Sequence, residues 1–316
     1  MNARENMLRA YRHELPEYVP NGFTDLDIMD SFGERYFGEG TGDDWFGVNW
    51  TYTPKLHSQT ETPGQELVED LTDWQEKIKI PNLDAYDWEK IAAEATAGWD
   101  RVNRMSLCML LNGPFERMMS LMGFENALCA FYETPDEVKE FFEAVTEHKC
   151  RYIHILKKYF NLDIIAFHDD WGNNQNMFFS MDMWREFLKP CIQKVIDAVH
   201  AEGMIFEMHS CGYIRPTIPE LVEMGIDSIQ PLQYCNGVDE IKTQYGDRIL
   251  LSGGFNTQEV LEKPGASEEE IRTEVRRTMD SLGKDGGYCA LVPIIDDRVR
   301  GIVADEVARY GKDFYR

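Results

Sequence analysis

Residues 204–213, MIFEMHSCGY, decide the fold class. They follow a helical segment that ends at Gly203, and they open as an apolar run that is typical of a buried strand. Because side chains alternate along a strand, Glu207, His209 and Cys211 are expected on one face. Polar side chains thus gather at the end of an apolar strand, and in a parallel α/β protein the carboxyl ends of the strands are where the chemistry usually lies.

His209 and Cys211 also predict chemistry, because imidazole and thiolate are preferred ligands of zinc. The alternative is a buried histidine that is hydrogen-bonded to the backbone, beside an inert core cysteine. A pair of ligands is a weaker signal than four spaced ligands. On these ten residues alone, both interpretations stay open.

The charge of the chain excludes several classes of partner. The 316 residues include 32 Lys and Arg against 56 Asp and Glu, which gives a formal net charge of −24 at pH 7. Such an acidic chain would repel a nucleic acid or an anionic membrane. There is also no run of roughly 18 apolar residues that would span a membrane. We therefore expect no nucleic-acid partner and no membrane association.

Cysteine usage indicates the compartment. The chain has 7 cysteines, an odd number, and no CxxC pair. Its opening residues, MNARENMLRAYR, lack the apolar core of a signal peptide. We therefore expect free thiols in a reducing environment and a cytoplasmic location.

From Trp88 onward, strand-like and helix-like patterns alternate along the chain. Besides the quoted stretch, near-continuous apolar strands are expected at residues 105–111, 163–168, 227–232, 249–253 and 287–292. Such runs favour a parallel sheet with helices on both faces. We predict an α/β fold, a single (β/α)8 TIM-type barrel over residues 1–316, with 1–87 as N-terminal excursions and 88–316 as regular β/α units. The alternative is a doubly wound open sheet, but no GxGxxG follows a strand to support it.

Residues that directly follow the strands are expected at one mouth of the barrel. They are Asn112, Glu116, His168, Asp169, Asp170, Trp171, His209, Cys211, Gln230, Gln233, Gly253, Gly254, Asn256 and Asp296. Their convergence on one rim predicts a pocket. Each also has a structural interpretation, since amides and carboxylates cap loops and Trp171 can pack in the core. Trp45, Trp50 and Trp171 are candidates for the wall of an aromatic substrate site.

Five segments carry a resemblance to a known family. They are RENMLRAYRHELPEYVP (4–20), GPFERMMSLMGFENAL (113–128), HDDWGNNQNMFFSMDMWREFLKP (168–190), MHSCGYIRPTIPELVEMGIDSIQPLQ (208–233) and YGDRILLSGGFNTQEVL (245–261). In this order they resemble the uroporphyrinogen decarboxylase superfamily over nearly the whole chain. The resemblance implies a (β/α)8 barrel with its site at the carboxyl ends of the strands.

The superfamily holds at least two chemistries. Its decarboxylases carry an arginine-rich RQAGR segment near the N-terminus that binds the porphyrinogen carboxylates, and here that region is acidic and glycine-rich instead. Its corrinoid-dependent methyltransferases carry His-x-Cys, which binds zinc, on the strand occupied here by His209 and Cys211. The resemblance therefore implies Zn²⁺ at these residues and favours the methyltransferase branch.

The third metal ligand departs from the family pattern. Thiol-methylating members have a cysteine after Pro-Gly beyond the last strand, where this chain has PII at residues 293–295. Cys289 lies earlier, within the predicted last strand. Glu207 is taken as the third ligand, and Asp170 and Asp296 are the alternatives.

The chain is also similar to the substrate-side methyltransferases of anaerobic O-demethylation, which carry DDWG, here 169–172, and a DWFGV-like segment, here 44–48. The resemblance implies a zinc-dependent methyltransferase that moves a methyl group from a methoxylated small molecule, an aryl methyl ether, to Co(I) of a separate corrinoid protein. Cobalamin is expected on that partner because this chain lacks the DxHxxG corrinoid motif. The alternatives are a corrinoid-to-thiol methyltransferase, a uroporphyrinogen-type decarboxylase and a barrel that only binds a ligand.

The implied reaction assigns roles to the mouth residues. Zinc would act as a Lewis acid on the ether oxygen. The catalytic residues expected to orient or protonate that oxygen are His168, Asp169 and Asp170. Because the two aspartates follow an apolar strand, one of them is expected to have a raised pKa. The expected substrate-binding residues are Trp171, Asn112, Gln230 and Asn256.

Overall fold

The computed structural model describes residues 1–54, 58–291 and 296–316. Within them the strands are β1 Leu26–Asp30, β2 Thr41–Asp43, β3 Asn49–Thr53, β4 Ser58–Glu61, β5 Met105–Leu110, β6 Ile164–His168, β7 Ile205–His209, β8 Ser228–Leu232, β9 Leu250–Gly253 and β10 Tyr288–Cys289. The α-helices are α1 Ala3–Tyr11, α2 Trp74–Lys77, α3 Trp88–Ala95, α4 Pro114–Met122, α5 Phe124–Glu133, α6 Pro135–Ile155, α7 Met181–Met183, α8 Lys189–Ala201, α9 Ile218–Met224, α10 Val238–Tyr245, α11 Glu268–Leu282 and α12 Asp297–Gly311. Short 3-10 segments span Leu83–Ala85, Arg215–Thr217 and Tyr234–Asn236, and π-helical segments span Leu156–Phe160, Trp184–Leu188 and Thr257–Leu261.

Seven of these strands form one parallel sheet in the order β1-β5-β6-β7-β8-β9-β10. An isolated parallel bridge joins Asn21 to Ala290. Because Asn21 precedes β1 and Ala290 follows β10, the two edges of the sheet meet at this bridge. The α/β fold class with a curled, barrel-type parallel sheet is thereby confirmed. The described residues show seven strands and one bridge, so the eight-stranded (β/α)8 barrel stays a prediction.

Strand β1 was missed by the sequence analysis. Its sequence, LDIMD, has aspartates at two of five positions and so lacks a continuous apolar run. Parallel pairing from Leu26 with Met105 to Asp30 with Met109 nevertheless makes it a full neighbour of β5. The N-terminal region therefore contributes a strand to the main sheet as well as excursions. It also forms a separate antiparallel sheet, β2-β3-β4.

Helix α1 closes the amino-terminal end of the barrel. Met7 of α1 packs in a small apolar cluster with inward-facing side chains such as Ala166 of β6. Phe167, the next residue, points outward and packs in the larger core under the surrounding helices. His168 continues the inward row, so the alternation of β6 delivers an imidazole to the opposite, open end. No helix within the described residues is long and apolar enough to cross a membrane.

A buried ionic network joins the loop after β1 to helices α4 and α6. Glu34 Oε2 lies 2.6 Å from Lys149 Nζ and 3.0 Å from the Arg117 guanidinium, and Glu34 Oε1 lies 3.1 Å from His148 Nε2. Arg117 also binds Asp44 at 2.6 Å. Burial lowers the pKa of His148, so the network balances two carboxylates against two cations. Its ion pairs fix the position of residues 34–44 on the barrel.

Replacing Arg117 with Met tests this network. The change leaves Glu34 and Asp44 buried with one fewer cation, so we expect the free energy of unfolding to fall by about 3–5 kcal/mol. Chemical denaturation measures the effect. Lys139→Met is the matched control, because it breaks an exposed ion pair with Glu186 and should leave the midpoint nearly unchanged. Equal midpoints for both variants would show that the network contributes nothing to stability.

Candidate functional site

His168, Asp170 and His209 come together at the open end of the barrel. His168 and His209 end neighbouring strands and are paired in register. Their rings stack with centroids 4.2 Å apart and planes 18° apart. His209 Nε2 lies 4.0 Å from Asp170 Oδ1, and one donor atom from each of the three residues lies within 4.8 Å of the others. Two imidazoles and a carboxylate in this arrangement can hold a divalent metal ion.

Each imidazole is oriented by a neighbour that binds its Nδ1. Glu116 Oε2, in the first turn of α4, lies 2.5 Å from His168 Nδ1. Gln230 Oε1, on β8, is hydrogen-bonded to His209 Nδ1. With a proton on each Nδ1, both Nε2 atoms present lone pairs to the site. The structure thus gives Gln230, expected to bind substrate, a hydrogen bond that orients His209.

The ionisation of the cluster suits a metal ligand set. Burial, reinforced by the neighbouring His168, lowers the pKa of His209 to about 3, and burial also lowers the pKa of His168. Desolvation acts to raise the pKa of Asp170, but the two imidazoles and the Cys211 amide outweigh it, so this pKa is lowered. At neutral pH the cluster therefore offers neutral imidazoles and an ionised carboxylate. Asp170 is not the aspartate with the raised pKa.

Close contact between two glycines brings the loops after β6 and β7 together. Gly212 has φ 84°, and a Cβ on it would lie 2.2 Å from the Gly172 carbonyl oxygen. This contact requires glycine and places Cys211 beside Asp170. The Cys211 amide donates to Asp170 Oδ1 at 2.6 Å, and Cys211 Sγ lies 3.6 Å from His209 Nε2. Burial and the charge of Asp170 raise the pKa of this thiol.

Glu207 is not brought to the cluster. It lies two residues before His209, deeper in the barrel, where Oε2 accepts from Ser228 Oγ at 2.7 Å and from Tyr11 Oη at 3.3 Å. Burial raises its pKa to about 7. Glu207 and His209 share a face, as expected, but they differ in depth. Of the alternative acids, Asp170 joins the cluster, whereas Asp296 caps α12 by accepting from the Val299 amide at 2.9 Å.

Asp169 and Trp171 are buried and do not line the mouth. Asp169 is fully buried, and its carboxylate accepts from the Glu116 amide at 2.8 Å and from the Trp171 indole at 2.9 Å. It therefore caps the start of α4. Burial and the nearby Glu116 raise the pKa of Asp169, so the raised pKa belongs to the aspartate outside the cluster. Trp171 is fully buried and packs edge-on against Trp184.

The two asparagines expected to bind substrate follow strands β5 and β9, which are separated by three strands of the sheet. Asn112, with φ 53°, accepts from Arg35 at 2.7 Å and donates to the Glu34 carbonyl at 2.6 Å. Asn256 accepts from the Glu259 amide at 3.2 Å and lines a separate cavity of about 310 Å³ with Gln233. Neither asparagine belongs to the histidine–aspartate cluster.

The sequence analysis missed Asp30 and Arg35. Asp30 ends β1, the strand that the apolar pattern did not show. Desolvation raises the pKa of Asp30, and the charges of Arg35 and His168 act in the opposite direction. Arg35 lies 3.9 Å from Glu116 Oε1, and its guanidinium lies 4.8 Å from the centroid of the Trp50 ring. Recognition of LDIMD as a strand would have placed Asp30 at the mouth.

Comparison with known proteins agrees with the fold. The family model for uroporphyrinogen decarboxylase (URO-D) matches residues 62–291, so the chain belongs to this family. A solved structure of a methyltransferase from Methanosarcina mazei is similar over 100% of both chains, with a TM-score of 0.74 and 16% sequence identity. At this identity the likeness shows the fold. No curated protein matches the chain.

Glu207→Gln tests the buried position of this carboxyl group. Its pKa in the folded protein is about 7 against an ordinary value of 4.5, so folding binds a proton between these values and stability is lost as the pH rises through 7. The glutamine variant lacks this loss. Its stability relative to the unmodified protein should rise by about 2 kcal/mol between pH 5.5 and pH 8. Urea denaturation at both pH values measures the difference, and a difference that does not change with pH would contradict the assignment.

Proposed function

We propose that this protein is a zinc-dependent methyltransferase that takes a methyl group from a methoxylated aromatic compound and passes it to Co(I) of a separate corrinoid protein. The observation that carries the proposal is the cluster of His168, Asp170 and His209 at the open end of the barrel. The fold shared with the Methanosarcina mazei methyltransferase supports the same class of activity. Membership of the URO-D family agrees with a site at the carboxyl ends of the strands.

The donor set fits zinc. Ligand atoms bound to one zinc ion at 2.0–2.3 Å stand roughly 3.4–3.8 Å apart. His209 Nε2 lies 3.6 Å from Cys211 Sγ and 4.0 Å from Asp170 Oδ1, so small side-chain movements would complete the set. His168, Asp170 and His209 would hold the ion, with Cys211 as a fourth candidate. Bound there, zinc would supply Lewis acidity at the ether oxygen as the methyl–oxygen bond breaks.

Residues of the chain prepare this chemistry. Glu116 and Gln230 hold the two imidazoles, so little reorganisation is needed when the site acts. Asp170 stays ionised and acts as a ligand, and it no longer has the role of proton donor. Burial and the charge of Asp170 raise the pKa of Glu116, which is hydrogen-bonded to His168 Nδ1 at 2.5 Å.

The other activities receive less support. A thiol acceptor is normally activated by zinc with several sulfur ligands. Here Cys289 lies in the closed end of the barrel, and residues 293–295, where a family cysteine is expected, lie outside the described residues. A porphyrinogen with many carboxylates would meet the ionised Asp170 at the mouth, in a chain with a formal net charge of −24. Methyl transfer from a neutral ether avoids this repulsion.

The direct test is a methyl-transfer assay. Zinc-loaded protein is incubated with cob(I)alamin and a panel of methoxylated arenes, with methylamines and methylthiols as comparison donors. We expect methylcobalamin and the demethylated phenol to form in equal amounts from at least one methoxylated arene. Failure of every methoxylated arene with zinc-loaded protein, or conversion of uroporphyrinogen, would contradict the proposal.

A paired substitution separates the two neighbouring aspartates. Asp170→Asn removes a ligand, so zinc affinity should fall by more than the roughly 10–100-fold that loss of a supporting hydrogen bond causes, with little change in melting temperature. Asp169→Asn should change stability and leave zinc binding intact. It weakens the cap of α4 and lowers stability by about 1–3 kcal/mol, while zinc affinity is retained. Competition with a chromophoric chelator gives the affinity and thermal unfolding the stability. The opposite pattern would remove Asp170 from the metal site.

A further inference from the structure

An aromatic cleft of about 450 Å³ lies between the loop after β1 and helix α3. Its apolar wall includes Phe32, Tyr36, Phe37 and Trp45. Phe32 is 44% exposed and Phe37 is 50% exposed, although large aromatic side chains gain most when they are removed from water. An aromatic ligand in the cleft would cover both rings.

The cleft adjoins the histidine–aspartate cluster. Asp30 and Arg35 line its inner end. The charge of Asp30 acts on His168, and Arg35 lies 3.9 Å from Glu116, which holds His168. A ligand in the cleft therefore has its inner edge against the side chains that support the cluster.

Arg35 points to an oxygen-bearing ligand. Arg35 lines the cleft, and its Nη2 donates to Asn112 at 2.7 Å. A guanidinium carries five N–H donors and no acceptor. A hydroxyl or ether oxygen on a ring in the cleft would accept from this guanidinium. The volume suits a single substituted ring, because ligand pockets of this kind start near about 300 Å³.

We propose that this cleft binds a single aromatic ring that carries a hydroxyl or ether oxygen, with Arg35 donating to that oxygen. The identification of this ring with that of the methyl donor rests on the proposed function. Binding of the ring itself does not depend on methyl transfer.

The test is direct binding of phenol and 2-methoxyphenol to the full-length protein, measured by calorimetry and by quenching of tryptophan fluorescence, with cyclohexanol as the non-aromatic probe. We expect phenol to bind about 10-fold more tightly than cyclohexanol. Phe37→Ala removes one wall and should weaken phenol binding about 10-fold. Ala95→Trp fills the cleft from an exposed position on α3 and should abolish binding without removing a contact. Tyr132→Ala, which removes a 77% exposed ring elsewhere, is the control.

The outcomes distinguish this proposal from the proposed function. Equal binding of phenol and cyclohexanol, or unchanged phenol binding by both Phe37→Ala and Ala95→Trp, would overturn the cleft proposal. Loss of binding in these variants with zinc affinity and melting temperature retained would support it. If the cleft binds phenols in this way but no methoxylated arene yields methylcobalamin, the cleft proposal stands and the proposed function fails.

Discussion

The buried contacts of Glu34 are the constraint on which the rest of the structure depends. This carboxylate is held by Arg117 of α4 and Lys149 of α6, and all three side chains are fully buried. A buried charge is strongly destabilising unless an opposite charge is paired with it. The pairs of Glu34 therefore fix the relative positions of the loop after β1, helix α4 and helix α6. Gly33 shows how closely the loop is held, because a Cβ at this residue, with φ 76°, would lie 1.9 Å from the Trp45 indole.

The ion pairs of Glu34 also position several residues at the barrel mouth. Arg35 directly follows Glu34, so the buried ion pairs of Glu34 also fix the position of Arg35. Its guanidinium lies at the mouth, where it donates to Asn112 and lies over the Trp50 ring. The same loop supplies Trp45 to the aromatic cleft. The mouth thus combines the histidine–aspartate cluster with Arg35 and an aromatic wall.

Alternate residues of one motif face the candidate site and the protein core. In HDDW, residues 168–171, His168 and Asp170 face the site, whereas Asp169 and Trp171 are buried around the start of α4. The division follows from the alternation of an extended chain. The alternation also gives the two aspartates opposite pKa shifts. Asp170 lies beside two imidazoles and has a lowered pKa, whereas Asp169 is buried near Glu116 and has a raised pKa.

The sequence by itself determined the alternating strands and helices, the parallel sheet and the position of His168, Asp170 and His209 at or just after strand ends, because apolar runs and two-residue alternation are local properties of the chain. It did not select these three residues as one cluster. It did not show β1, since two aspartates interrupt the apolar pattern and only pairing with β5 stabilises that strand. It also could not separate Glu207 from His209, which share a face but stand about 6–7 Å apart along the strand. The tertiary structure decided which of them meets Asp170, because ligand sets depend on depth in the barrel and on the register of neighbouring strands.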